Sequence, residues 1–300
     1  MYVIAGATGN TGSEIANLLL AKKQPVRVIG RDAGRLKRFA ERGGEPYIAD
    51  MTDADAVARA FSGAKAVYAL IPPNVTSPDV RAYAEQVAEA IAWAIEEAGV
   101  TRAVVLSSIG ADKPARTGPV AGLHNLEQKL NRIATLNAVY LRAGYFMENT
   151  LPQADVIRGF GMVAGPFRPD LLLPMIATRD IAAAAADTLL NLDFQGKTTR
   201  ELLGQRDVSY TDVAKTIGKA IGKPDLAYVQ MPASQFKAAL VQMGMSESMA
   251  GLIVEMSEAL NSGYMGALEK RSPHNTTPTT LEMFVAEKFV PAFLAKAASA

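Results

Sequence analysis

Three glycines at three-residue spacing stand near the start of the chain, in Gly6-Ala7-Thr8-Gly9-Asn10-Thr11-Gly12. They follow the apolar run Tyr2-Val3-Ile4-Ala5 and precede a helical pattern from Ser13 to Lys22. In that context the spacing is chemically informative. Gly6 permits a tight turn, Gly9 lets backbone approach a pyrophosphate, and Gly12 lets the helix pack on the strand. Backbone N–H groups from Thr8, Asn10 and Thr11 onward would then face the phosphates at a helix N-terminus. Without a ligand the same pattern is simply a glycine turn.

The end of the second apolar run discriminates between cofactors. An NAD site usually presents an acid about 20 residues past the glycines. Here that run ends Val28-Ile29-Gly30-Arg31, with Arg35 and Lys37 close behind. A guanidinium suits a 2′-phosphate, so the expected cofactor is NADP(H). Asp32 leaves two alternatives open: it turns inward, or it pairs with a solvated Arg31. Ligands lie beyond the carboxyl ends of parallel strands, which adds Asp50 and Met51, Leu70-Ile71-Pro72, and Ser107 and Ser108 to the expected contacts. Each of these could equally be a strand-end cap.

Other chemistries are excluded or weakened by what is missing. The chain has no cysteine, so disulfides, thiolate catalysis and cysteine metal sites are ruled out. Its two histidines, His124 and His274, are far apart, which argues against zinc. There is no Gly-x-Ser-x-Gly elbow and no Walker lysine. A formal net charge of +1 gives no reason to expect nucleic acid or an anionic membrane as partner. No run reaches the ~18 apolar residues of a membrane span, and no basic region precedes the first apolar run. These features fit a cytoplasmic protein acting on a small molecule.

The elements that must position these groups alternate. Short apolar runs at 2–5, 26–29, 46–49, 66–71, 102–106 and 138–142 read as strands. Helical patterns cover 13–22, 34–42, 53–61, 78–98 and 123–136. Continuous apolar strands separated by helices predict an α/β fold with a doubly wound parallel sheet of Rossmann type. Residues 1–150 form this expected nucleotide-binding domain. Residues 151–300 form a smaller C-terminal α/β lobe that covers the substrate, with an approximate boundary and interleaved lobes. Short strands are expected at 162–164 and 200–203, helices at 180–190, 210–221, 233–243 and 247–260, and an ordered loop at 271–280. The Met-rich stretch Met243 to Met265 is expected to cover the pocket or to form a homodimer interface.

The glycine motif, Arg31 and the serines after the fifth strand resemble the short-chain dehydrogenase/reductase superfamily. The finer resemblance is to its atypical branch, the NmrA-like proteins. It rests on four segments: 6–12, Leu141-Arg142-Ala143-Gly144-Tyr145-Phe146-Met147-Glu148-Asn149, Thr178-Arg179-Asp180-Ile181-Ala182, and 274–284. The resemblance implies a Rossmann domain with a small C-terminal lobe. It implies one of two outcomes, an NADPH-dependent reductase of a quinone-like or aromatic acceptor, or a catalytically silent sensor of the NADP redox state.

The superfamily's Tyr-x-x-x-Lys acid is absent: none of the nine tyrosines has Lys four places on. The helix that should carry the pair instead reads Leu123-His124-Asn125-Leu126-Glu127-Gln128-Lys129, and NmrA-like quinone reductases resemble this chain in having His there. His124 is therefore the candidate proton donor, or it bonds a backbone carbonyl or the substrate. Lys129 sits half a turn off the His124 face. Tyr145 and Asn149 are candidates to wall and orient a planar acceptor, with Phe146 beside them. His274 is expected to be structural. A sugar-nucleotide epimerase is disfavoured by the missing Tyr-Lys pair.

Overall fold

A computed structural model describes residues 1–297. The first half is the expected alternation: β1 (Tyr2–Ile4), α1 (Asn10–Ala21), β2 (Val26–Gly30), α2 (Ala33–Ala40), β3 (Glu45–Ile48), α3 (Ala54–Phe61), β4 (Ala66–Ala69), α4 (Val80–Glu97), β5 (Arg102–Ser108), α5 (Val120–Asn131) and β6 (Asn137–Ala143). Each strand sends alternate residues to opposite faces. Val3, Val67, Ala103 and Val105 pack under α3, α4 and α5. Tyr2, Ile4, Tyr68, Val104 and Leu106 pack on the other side, under α1 and α2. Burial on both faces is why these strands read as continuously apolar.

The second half contains β7 (Tyr145–Phe146), a short 3-10 turn at Met147–Thr150, α6 (Gln153–Phe160), β8 (Val163–Gly165), β9 (Leu173–Ile176), α7 (Thr178–Asn191), β10 (Lys197–Leu202), β11 (Asp207–Val208), α8 (Tyr210–Ala220), β12 (Tyr228–Gln230), α9 (Ala233–Gln242), α10 (Glu247–Asn261), α11 (Leu281–Phe284) and α12 (Val290–Ala297). The main sheet has seven strands in the order β3-β2-β1-β4-β5-β6-β10, all parallel.

The layers interleave further than a division at residue 150 suggests. β10 pairs with β6 from Lys197 against Ala138 to Leu202 against Ala143. α7 lies against the sheet beside α1. Residues 178–202 therefore belong to the nucleotide-binding layer, and the lobe proper comprises 145–176 and the segments after 203. Residues 298–300 of the expected second span lie outside the described residues. β10 was expected as a four-residue strand at 200–203. Its Lys-Thr-Thr-Arg-Glu start is polar because it forms a sheet edge, where charge is tolerated. α5 begins at Val120, three residues earlier than its apolar period indicated, and ends at Asn131.

Three carboxylates, the half-buried Glu148 and the buried Asp180 and Glu201, fasten the lobe to the sheet. Glu148 accepts from the backbone N–H of Thr178, at 3.0 and 3.1 Å, and from its hydroxyl at 2.6 Å, capping α7 from a distance. Asp180 accepts from the N–H of Thr279 at 2.9 Å and its hydroxyl at 2.7 Å. Arg179 donates to the same hydroxyl at 2.8 Å and pairs with Glu287. Glu201 accepts from the N–H groups of Leu268 and Glu269. Among the described residues no helix is long and apolar enough to cross a membrane.

Candidate active site

The sheet order turns scattered sequence positions into a row. Asp50 and Met51 follow β3, Arg31 follows β2, the glycine turn follows β1, Leu70 to Pro72 follow β4, and Ser107 and Ser108 end β5. These are consecutive strands, so the row spans four inter-strand steps, roughly 19 Å at the usual spacing. All the groups sit at the carboxyl edge, where open α/β sheets bind ligands.

The glycine turn is built as its sequence requires. Gly6 has φ +62°, and a Cβ there would meet a Leu70 methyl at 2.8 Å. A Cβ on Gly12 would lie 2.4 Å from the Gly6 carbonyl oxygen, so α1 could not close onto the turn. Gly9 is different: a Cβ there meets only the Gly6 oxygen, at 3.3 Å. Its absence leaves open backbone rather than relieving a packed contact. Gly9 is also the N-cap of α1, and no side chain caps that helix. The helices on either side of the row are capped by their own residues: Asp32 caps α2, Asp53 caps α3 and Asp79 caps α4. The N–H groups of Asn10, Thr11 and Gly12 lack intrahelical acceptors by helix geometry and carry the positive end of the dipole.

The neighbours of the turn divide into groups held by the protein and groups left open. Arg31 is exposed, with a loose 3.8 Å contact to Asp50. Asp32 caps α2, its carboxylate accepting from the Arg35 N–H, and among the described residues no ion pair joins it to Arg31. Arg35 was grouped with the phosphate-facing cations, but it donates to the Thr8 carbonyl at 2.6 Å and braces the turn. The Thr11 hydroxyl accepts from Tyr68 at 2.9 Å in the core, so only the backbone of Thr11 faces outward. Burial pushes the Tyr68 phenol well above its usual value, partly countered by this bond, so it stays a neutral donor. Asp50 receives the N–H and hydroxyl of Thr52, and Met51 is buried beside it. Tyr83 of α4 shares this neighbourhood: burial and the Asp50 charge raise its phenol, with Arg31 opposing. Nothing in its spacing marked it out.

At the other end of the row, the structure gives Ser107 a structural task. It is buried and donates to Glu127 at 2.6 Å. Glu127 is itself buried and forms a two-bond ion pair with Arg142, at 3.0 and 2.6 Å. Hydrogen bonding to Glu127 raises the Arg142 guanidinium despite partial burial. This triad clamps α5 to the ends of β5 and β6. Ser108 donates to the carbonyl of Ile109 next to it. Lys129 is committed to Glu85 and Glu89 of α4.

His124 lies one turn before Glu127 on the clamped helix. Its Nδ1 is 2.8 Å from the carbonyl oxygen of Ala111. A carbonyl only accepts, so Nδ1 carries hydrogen and Nε2 is the remaining ring nitrogen. Tyr145 lies in an aromatic cluster with Phe167 and Tyr210, and its hydroxyl is 3.1 Å from that of Tyr210. Burial raises both phenols, so both are neutral donors. Asn149 is exposed and also bonds the Tyr145 hydroxyl. His274 lends its carbonyl to Arg200.

The Met-rich region is a roof over the loops beyond β4 and β5. Ser246 donates its N–H to the Val75 carbonyl, and Ser248 accepts from the Val80 N–H. Glu255 pairs with Arg81 and also receives the Gly118 N–H at 3.0 Å. A separate groove of about 450 Å³ runs between Ile109, Leu173, Leu203 and Met265 and contains neither the glycine turn nor His124. The residues at the row fit a dinucleotide: an open helix N-terminus, bare backbone at Gly9 and an exposed guanidinium at the end of the adjacent strand.

Comparison with known proteins agrees with this architecture. The chain is 28% identical over 278 residues to an NAD(P)H azoreductase of Xenophilus azovorans, covering 92% of this chain and 93% of the relative. Among solved structures it is similar to an NADPH-dependent quinone oxidoreductase of Escherichia coli complexed with NADPH, with TM-score 0.82, 24% identity, and 96% and 100% of the two chains covered. It is also similar to a Citrobacter triphenylmethane reductase complexed with NADP(H), with TM-score 0.76, 19% identity, and 95% and 100% covered. The model of the NmrA-like family matches residues 2–285, and the chain belongs to that family.

Proposed function

We propose that this protein is an NADP(H)-dependent reductase of a quinone or similar planar carbonyl acceptor. The observation that carries the reading is the uncapped N-terminus of α1 behind the bare backbone of Gly9, in line with the exposed Arg31. The names of the relatives support reduction as the reaction class. When bound, the nicotinamide supplies a hydride. The chain's residues do the rest. The α1 N–H groups and Thr8, Asn10 and Thr11 backbone hold the pyrophosphate. Arg31 holds the 2′-phosphate, with Asp50 and Met51 at the adenine end. Leu70, Ile71 and Pro72 border the ribose. Ser107 and Ser108 act by shaping the end of β5, not through their hydroxyls.

His124 faces the acceptor oxygen. With Nδ1 bonded to Ala111, the neutral ring has no hydrogen at Nε2 to give. Donation of a proton therefore uses the imidazolium, and orientation alone uses either form. Tyr145 and Asn149 form the acceptor wall. The Tyr210 hydroxyl is buried with Tyr145 as its hydroxyl partner, so donation toward Tyr145, alongside that from the Asn149 amide, leaves the Tyr145 hydrogen free for a ligand. Loss of the Tyr-Lys acid is tolerable for a quinone, since a hydroquinone anion is a far weaker base than an alkoxide.

The test is His124→Ala assayed with two acceptor classes. With an aldehyde, kcat is expected to fall by roughly 10²-fold if the imidazolium donates in the transition state. With a quinone the fall is expected to be smaller. An equal fall for both classes, or none for either, removes His124 from this role. Failure of every acceptor to oxidise bound NADPH faster than free NADPH removes the reductase reading and leaves a silent sensor.

A further inference from the structure

The loop from Gly110 to Pro119 joins β5 to α5 and carries features that its connecting role does not need. Arg116 has φ +60°, in the left-handed region that a residue with a Cβ rarely adopts. Gly118 two places on has φ +62°, and a Cβ there would strike the Leu252 carbonyl oxygen at 2.1 Å. Between them Thr117 is completely buried, and its hydroxyl has no hydrogen-bond partner. Such a conformation costs on the order of 1–3 kcal/mol per strained residue and persists only when its surroundings impose it. Here they do. Ala111 is tied to His124, and the Gly118 N–H is tied to Glu255 of the roof. A Cβ on Gly110 would meet Met265 at 2.5 Å, so the loop and the turn after α10 are in contact.

The strain places one side chain. The Arg116 guanidinium lies 4.6 Å from the centroid of the Tyr264 ring, and the Lys113 ammonium lies 5.9 Å from the same ring. Lys113 is neutralised by Asp112 at 2.7 Å. Arg116 is exposed and, among the described residues, has no carboxylate within ion-pair distance. A guanidinium held over an aromatic ring spends no N–H group on an acceptor, so its N–H groups can receive a carboxylate, sulfonate or phosphate in bidentate fashion. By topology this loop borders the β5 end of the row, on the His124 side.

Resting on the reductase reading above, we propose that Arg116, held by Tyr264, selects acceptors that carry an anionic substituent at the edge of their planar system. The same charge disfavours cationic acceptors.

The experiment compares menadione with a naphthoquinone sulfonate, as the ratio of kcat/KM for the anionic over the neutral acceptor. Taking that ratio relative to the native protein cancels the intrinsic reactivity of the two quinones. The variants are Arg116→Glu, which reverses the charge, and Arg116→Gly, which removes it while suiting the positive φ. The ratio is expected to fall by 10-fold or more in Arg116→Glu and by several-fold in Arg116→Gly, and the native ratio is expected to shrink as salt is raised. A ratio within 2-fold of native in both variants overturns the proposal and leaves the reductase reading intact. If neither quinone is reduced, the quinone form of the reductase reading fails. The anionic edge is then read from titration of the NADP-loaded protein with the sulfonate, where equal affinity of native and Arg116→Glu protein overturns it.

Discussion

The glycine turn and the clasp between residues 178–180 and 279–287 are both strongly marked in the sequence, but the two regions use their polar groups in opposite ways. In the clasp every group is spent. Asp180 takes two donors from Thr279, Arg179 bridges Thr279 and Glu287, and Glu148 caps Thr178. In the turn the polar groups are left over: α1 has no side-chain cap, and Arg31 has only a long contact. Residues typical of a family therefore need not be its chemistry. The family-like segments 141–149, 178–182 and 274–284 are largely a structural fastening, which sets the height of the lobe above the row.

The sharpest way to break this contrast is a pair of substitutions with opposite outcomes. Gly9→Val is expected to abolish NADPH binding with little change in urea stability, because its branch enters the phosphate approach where a Cβ otherwise meets only one atom. Gly12→Ala instead sets a Cβ 2.4 Å from a carbonyl oxygen and is expected to cost stability. Unchanged NADPH titration by Gly9→Val protein places the ligand elsewhere. Next in size, Asp180→Ala is expected to cost about 3 kcal/mol of unfolding free energy, since it leaves the N–H and hydroxyl of Thr279 without their buried acceptor. NADPH affinity of its folded fraction should change little. A stability loss under 0.5 kcal/mol in urea titration, on the order of an ordinary surface change, contradicts the role given to the clasp.

A smaller effect is expected at Arg31. Arg31→Ala should reduce the preference for NADPH over NADH by about 1.5 kcal/mol, at the low end for a charge-assisted contact because the side chain is exposed. Competition titrations read it directly, and an unaltered preference excludes the contact. The smallest effect belongs to the start of α8, which packs beside the 279–287 segment but takes no part in its bonds to 178–180. The Ser209 backbone and hydroxyl hold Asp212 below the usual carboxylate range in the capping box of α8. A depressed value means that the stabilisation is present above the unfolded value, about pH 4, and is lost as pH falls through the folded value. Asp212→Ala should cost about 1 kcal/mol at neutral pH. The gap from native should close below about pH 4, and a gap that widens there is the wrong sign.

The sheet and the row were legible because they depend on local periodicity and on a strand order that βαβ handedness nearly dictates. Arg31 and the three glycines were legible for the same reason. What escaped was set by distant partners. The hydroxyls of Ser107 and Thr11 look available in sequence, yet one is taken by Glu127, 20 residues on, and the other by Tyr68, 57 residues on. Arg35 looks like a phosphate cation until its contact with Thr8 is seen. The first three residues of β10 hid behind their polar edge character, and β9 (Leu-Pro-Met-Ile) behind its proline. His124 stands out by its place on α5, and its bond to Ala111 decides which ring nitrogen is already taken.

The most direct test of the whole account is anaerobic stopped-flow mixing of the NADPH-loaded protein with menadione, following the nicotinamide absorbance. The account predicts a single-turnover loss far faster than that of free NADPH with the same quinone, abolished in Gly9→Val protein and slowed in His124→Ala protein. Loss at the rate of free NADPH, with NADPH bound and the protein folded, contradicts it.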